Sequence, residues 1–145
     1  MQALLVAEQD IDSRNQIAGL LSEAGYNVIV TTSAANAVSD ILKKNAQVVI
    51  LGSEFDDLDA ADLVPLLKQC NRNLTIILVA AEASLPVIRK LRRLGIFYHA
   101  LKPVNPQDRE ELCQAVKCAF ARQEQNVTAD MGRLTANLHG RRISP

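Results

Sequence analysis

The sequence predicts an α/β fold, a doubly wound sheet of five parallel strands with five helices shared between its two faces. Two observations carry that expectation. Short apolar runs alternate five times with longer segments of helical period, the rhythm of consecutive βα units. The runs at residues 48–51 and 74–79 are also apolar, Thr75 apart, as strands covered on both faces should be.

The predicted strands are residues 3–7, 28–31, 48–51, 74–80 and 97–101. Between the first two, Ile17, Leu20, Leu21 and Ala24 recur at i, i+3, i+4 and i+7, and Gly25 stops the helix. Ser33 caps a second helix whose apolar face is Ala37, Val38, Ile41 and Leu42. A third carries Leu63, Leu66, Leu67 and Cys70. Its Pro65 suits only a first turn, which puts the start near Asp62. Ser84 caps the fourth, with Pro86 in its first turn and Gly95 at its stop. Asn105-Pro106 opens the fifth, which buries Leu112, Ala115, Val116, Ala119 and Phe120. Right-handed crossovers leave few topologies for such a chain, and the flavodoxin-like order 2-1-3-4-5 is the expected one.

After about Gln123 the periodicity fails. Residues 124–145 are polar, with two glycines, Arg141-Arg142, a terminal Pro and a weak helical hint at 131–138. The expected division is one domain over residues 1–123 and a linker or tail over 124–145, or the start of a further output domain.

Composition narrows the function classes. An apolar share of 48% and a charged share of 22% over 145 residues are ordinary for one soluble domain. Sixteen basic and sixteen acidic residues leave no net charge to attract nucleic acid or an anionic membrane. Five Phe and Tyr residues and no Trp make a base-stacking platform improbable, so no direct nucleic-acid binding is expected. Cys70, Cys113 and Cys118 have no C-x-x-C spacing or nearby His, and read as buried thiols; His99 and His139 show no metal spacing. Met1-Gln2 runs straight into a strand with no targeting pattern, and no apolar run reaches membrane-span length. The expected location is cytoplasmic.

Ligands of open α/β sheets sit at the carboxyl ends of the strands, where strand order reverses. This sequence places Glu8-Gln9-Asp10, Gly52-Ser53-Glu54, Ala80-Ala81 and Lys102-Pro103 there. The stretches LLVAEQD, AGYNVIVTTSAANAV, QVVILGSEFDDLDAADLVPLL, IILVAAE and LGIFYHALKPV, in that order and spacing, are similar to the receiver (CheY-like) domain of two-component response regulators. The resemblance spans roughly residues 1–123. It implies a signalling module of a phosphorelay, not an enzyme. In that family an acidic pair after strand 1 helps hold Mg²⁺, and an Asp ending strand 3 accepts a phosphoryl group. A Thr or Ser after strand 4 and a Lys after strand 5 contact its oxygens.

Carried over position by position, Glu8 keeps the first acidic place, Gln9 puts an amide at the second and Gly52 replaces the acceptor. Ala80 replaces the hydroxyl residue and His99 the switch aromatic. Asp56 stands where the family has Pro, Lys102 and Pro103 are kept, and Asp59 fits the acidic place in the loop after strand 3. A hard cation needs anionic ligands, and phosphoryl capture needs a nucleophile. The resemblance therefore implies an atypical pseudo-receiver, with no cofactor and a Mg²⁺ site lost or weak.

Glu54, Asp56 and Asp57 read as a solvated acidic loop or as replacement acceptors, with Glu54 the longest arm. Lys102 pairs with Glu8 or Asp10 as a remnant, meets Glu54, or captures a free anion. Arg89, Arg92 and Arg93 share one side of helix 4, while Asp108 and Glu111 open helix 5. With His99 they form a solvated surface or a self-complementary helix 4–strand 5–helix 5 face, through which the family often dimerises. Three functions remain open at this point. They are a phosphorylation-independent module that binds itself or a partner protein, a residual phosphoryl acceptor using Glu54, and a small-ligand sensor in the same crevice.

Overall fold

A computed structural model describes residues 2–81 and 85–143, with side chains up to residue 126. Its elements alternate strictly: β1 (Ala3–Ala7), α1 (Ile11–Glu23), β2 (Asn27–Thr31), α2 (Ala34–Leu42), β3 (Val48–Gly52), α3 (Ala60–Cys70), β4 (Thr75–Ala80), α4 (Leu85–Leu94), β5 (Tyr98–Leu101) and α5 (Pro106–Ile143). The five strands are parallel and ordered β2-β1-β3-β4-β5, as expected. Order reverses at β1, which pairs with both β2 and β3, so the crevice opens at the carboxyl ends of β1 and β3.

Side-chain alternation along each strand splits the core between the two faces. Leu5, Val49, Leu51, Ile76 and Leu78 pack against Ala37 and Ile41 of α2, Leu63, Val64 and Leu67 of α3, and Leu91 of α4. Leu4, Val6, Val48, Ile50, Ile77 and Val79 face the other way, onto Ile17 and Leu21 of α1 and Leu112, Ala115, Val116, Ala119 and Phe120 of α5. β3 and β4 are buried at every residue.

Helix ends follow local chemistry. Ser33 accepts from the Asn36 amide as the cap of α2, and Asn105 accepts from the Asp108 amide at the start of α5. Gly25 and Gly95 take left-handed backbone, φ +99° and +120°, just past α1 and α4. Ser84 lies outside the described residues.

Several expectations are corrected. α3 starts at Ala60, not near Asp62, so Pro65 lies inside it. Pro65 removes one helical hydrogen bond, and burial of Leu63, Val64 and Leu67 around it outweighs that loss. Leu42 and Leu66 were assigned to buried faces and are 60% and 42% exposed, because Ala34 and Val64 turn inward instead. Ala24 caps α1 in the open, and β4 and β5 each start one residue later than expected, at Thr75 and Tyr98. None of the three cysteines is fully buried: Cys70 and Cys113 are half-buried and Cys118 is exposed. Past Gln123 the backbone continues as α5 to Ile143, through the stretch with the weak helical hint. Gln123 itself is buried and donates to the Asn73 carbonyl and the Thr75 hydroxyl, tying α5 to the start of β4. Among the described residues no helix is long and apolar enough to cross a membrane.

Candidate functional site

The carboxyl ends of the strands open onto a cleft of about 610 Å³ lined by Glu8, Gln9, Asp10, Ile11, Asp12, Ser53, Glu54 and Lys102. Five of the seven residues expected in the pocket thus meet there, the lining charge being four carboxylates against one ammonium. The other two sit behind it. Ala80 is buried at the end of β4, and Gly52 is buried at the end of β3.

Gly52 is where the geometry departs most from expectation. Ala7 pairs with Leu51, so the next residues on the two strands, Glu8 and Gly52, stand side by side. The Glu8 backbone is held by its amide bonding to the Thr31 carbonyl at 3.1 Å. From there its side chain folds across the glycine. A Cβ built on Gly52 would lie 1.6 Å from Glu8 Oε2 and 2.8 Å from Cδ. No other residue leaves that space free, so Gly52 is a close-approach glycine, and the void it would leave is filled by its neighbour's carboxylate.

Glu8 is 7% exposed. Burial pushes its carboxyl above the usual range; the Lys102 ammonium opposes this, Asp10 and Glu54 reinforce it, and the Gln9 amide opposes it. Lys102 also acts on Asp10, but there its effect is secondary. Asp10 caps α1 by accepting from the Ser13 amide at 2.9 Å, and that bond, followed by the Ser13 hydroxyl, holds its carboxyl low. The turn carrying Lys102 is braced by Gln16 Nε2 donating to the Pro103 carbonyl at 2.7 Å.

The loop after β3 is not a freely solvated acidic stretch. Phe55 is buried in the core beneath it. Asp56 receives a hydrogen bond from Gln9 Nε2 at 3.0 Å and returns one from its own amide to Gln9 Oε1 at 2.5 Å. Asp57 accepts from the Ala34 and Ala35 amides at 3.2 and 3.1 Å, a second cap on α2 that lowers its carboxyl. Glu54 stays exposed and lines the cleft. Asp59 occupies the cap position of α3 without making a side-chain cap bond. Sequence reasoning missed these contacts because Gln9 and Asp56 are 47 residues apart and nothing in their local pattern signals the pairing.

This donor set does not fit a hard divalent cation. Gln9 is a neutral amide with both polar atoms spent on Asp56, Asp10 is committed to α1 and Glu8 lies folded over Gly52. Among the described residues no group of three or more His, Cys, Asp or Glu is arranged to hold a metal ion.

On the second candidate surface, Arg89, Arg92 and Arg93 are exposed on α4 as expected. The acidic partners assigned to them are engaged within the chain. Glu111 Oε1 accepts from the Tyr98 hydroxyl at 2.6 Å, and Asp108 Oδ2 from Asn105 Nδ2 at 2.9 Å. His99 is half-buried on β5 with its Nε2 unpartnered. Burial, then Arg92, lowers its pKa, and Glu111 opposes them. Leu101, 43% exposed on the edge strand β5, adds an apolar point to this face.

A doubly wound sheet in this order, with an acidic cleft at its switch point and a Lys-Pro turn after β5, defines the CheY-like receiver class of signalling module. Residues 4–117 match the response regulator receiver domain family, and the chain belongs to it. A DNA-binding transcriptional regulator NtrC from Bradyrhizobium sp. (strain RP501 Parasponia) is 28% identical over 127 residues, which cover 88% of this chain and 26% of that protein. The chain thus spans about a quarter of the length of that relative. The receiver domain protein (CheY-like) from Methanospirillum hungatei JF-1 superposes with a TM-score of 0.77 at 21% identity, covering 87% of this chain and 98% of that one. NtrX from Brucella abortus, solved with ADP, reaches a TM-score of 0.80 at 20% identity over 90% of this chain and 30% of its own. At these identities the structural likeness speaks to the fold. Receiver domains are signalling modules rather than enzymes.

Proposed function

We propose that this chain is a pseudo-receiver, a regulatory module of the response-regulator class that works without phosphorylation. It acts by contact with itself or with a partner protein through the α4–β5–α5 face. The observation that carries the reading is the Glu8 carboxylate lying over Gly52. The end of β3 offers no nucleophile, and the space an acceptor side chain would enter is already filled. The substitutions at Gln9 and Ala80 point the same way.

Hydrogen bonds from Gln9 to Asp56 and from the α2 amides to Asp57 count against these two carboxylates as substitute acceptors. Glu54, exposed and lining the same cleft as Lys102, is the carboxylate next to the end of β3 that competes for the role. An anion sensor is disfavoured by the cleft's four carboxylates, which repel the ligand that Lys102 would attract. The test is intact-mass analysis after incubation with acetyl phosphate and Mg²⁺, beside an ordinary receiver. No mass gain is expected. A phosphoryl adduct abolished by Glu54→Gln would replace this reading with the residual-acceptor one.

A further inference from the structure

We infer that Gln9 and Asp56 form a latch that orders the loop after β3 without any cation. In the chain, residues 53–59 connect the bottom of the cleft to α3, and four consecutive positions divide the work. Glu54 is exposed, Phe55 is buried at 6% exposure, Asp56 is bonded to Gln9 and Asp57 is bonded to the first amides of α2. The Gln9–Asp56 contact is reciprocal: a side-chain amide donates to the carboxylate while the same residue's backbone amide donates back to the side-chain carbonyl. A carboxylate at position 9 could make only the second of these bonds, and would face the Asp56 charge.

Gln is therefore the residue type that closes both bonds. It joins the loop after β1 to the loop after β3, the two segments on either side of the switch point. A bound divalent cation could draw the same two loops together by charge. Here a neutral amide does it through hydrogen bonds. Asp57 extends the connection to α2, so the cleft, the loop and the α2 N-terminus form one continuous chain of contacts.

The inference rests on the reading above in one respect, that the cleft works without phosphorylation, and the two can fail separately. Acetyl phosphate labelling tests the first, and amide hydrogen exchange, followed by NMR on the full chain, tests the second. In the native protein the Asp56 amide is expected to be equally protected in EDTA and in excess Mg²⁺. Gln9→Ala is expected to lower that protection about tenfold, the scale of one lost hydrogen bond, while the β1 and β3 amides keep theirs. Gln9→Glu is expected to lose protection in EDTA and recover it with Mg²⁺, which converts the latch to cation control. If Gln9→Ala fails to fold, Gln9→Met keeps the side chain's length but removes both its donor and its acceptor, and gives the same readout. Unchanged Asp56 exchange in these variants, or loss of native protection in EDTA, overturns the latch.

Discussion

At the scale of single residues, the cleft turns on a buried carboxylate whose charge is incompletely compensated. Glu8 has its folded-state pKa raised above the ordinary value of 4.5, first by burial, with Lys102 opposing. A raised carboxyl pKa means that the folded chain holds this proton more tightly than the unfolded chain. The stability so gained is present below about 4.5 and is lost as pH rises through the folded pKa. Glu8→Gln keeps the shape that covers Gly52 and discards the charge. It is expected to raise the thermal midpoint near neutral pH, with the advantage shrinking as pH falls and Glu8 protonates. Midpoints of the two proteins measured across pH decide it, and equal midpoints at neutral pH would remove buried charge from the account. The sequence made the chemical gap at Gly52 legible, since a glycine has no nucleophile wherever it sits. It did not make the filling legible. That Glu8 folds sideways depends on strand register and a 1.6 Å coincidence of positions, neither of which a local pattern encodes.

At the scale of elements, α2 shows how far local signals reach. Ser33 was readable as its cap because an N-cap needs only a hydroxyl a few residues from the amides it serves. Asp57 caps the same helix from 22 or 23 residues away and was read as loop. α3 fails in the complementary way: its Pro65 suggested a late start, and core burial overrode the proline. The Asp57 cap has a pH signature. Its pKa is lowered from 3.8, so its contribution is present above that value and is lost as pH falls through the folded pKa. Asp57→Ala is expected to lower the thermal midpoint near neutral pH, and this deficit should close in acid, where the native carboxylate is protonated as well. A deficit independent of pH would assign the effect to packing. Asp57→Asn retains one acceptor oxygen and should fall between the two.

At the scale of the whole molecule, the five-stranded order and both core faces were legible because apolar periodicity reports which side chains are covered. Association was not, because a surface charge pattern does not say which charges are already engaged. Glu111 and Asp108, read as partners for a neighbouring copy, hold Tyr98 and Asn105 of their own chain. A charge reversal at Glu111 would therefore disturb the fold of this face as well as any contact across it. Leu101 gives a cleaner probe. It is 43% exposed on the edge strand, in a face that also carries the exposed Arg89, Arg92 and Arg93, so it costs little to change in the isolated chain and much at a packed interface. The proposed contact predicts a dimer by size-exclusion chromatography with light scattering. Leu101→Glu should shift it to monomer, with an unchanged far-ultraviolet spectrum showing that the sheet survives. Native protein that stays monomeric at every concentration would exclude self-association, and the same face would then be tested against a heterologous protein, with Leu101→Glu again the variant that must fail to bind.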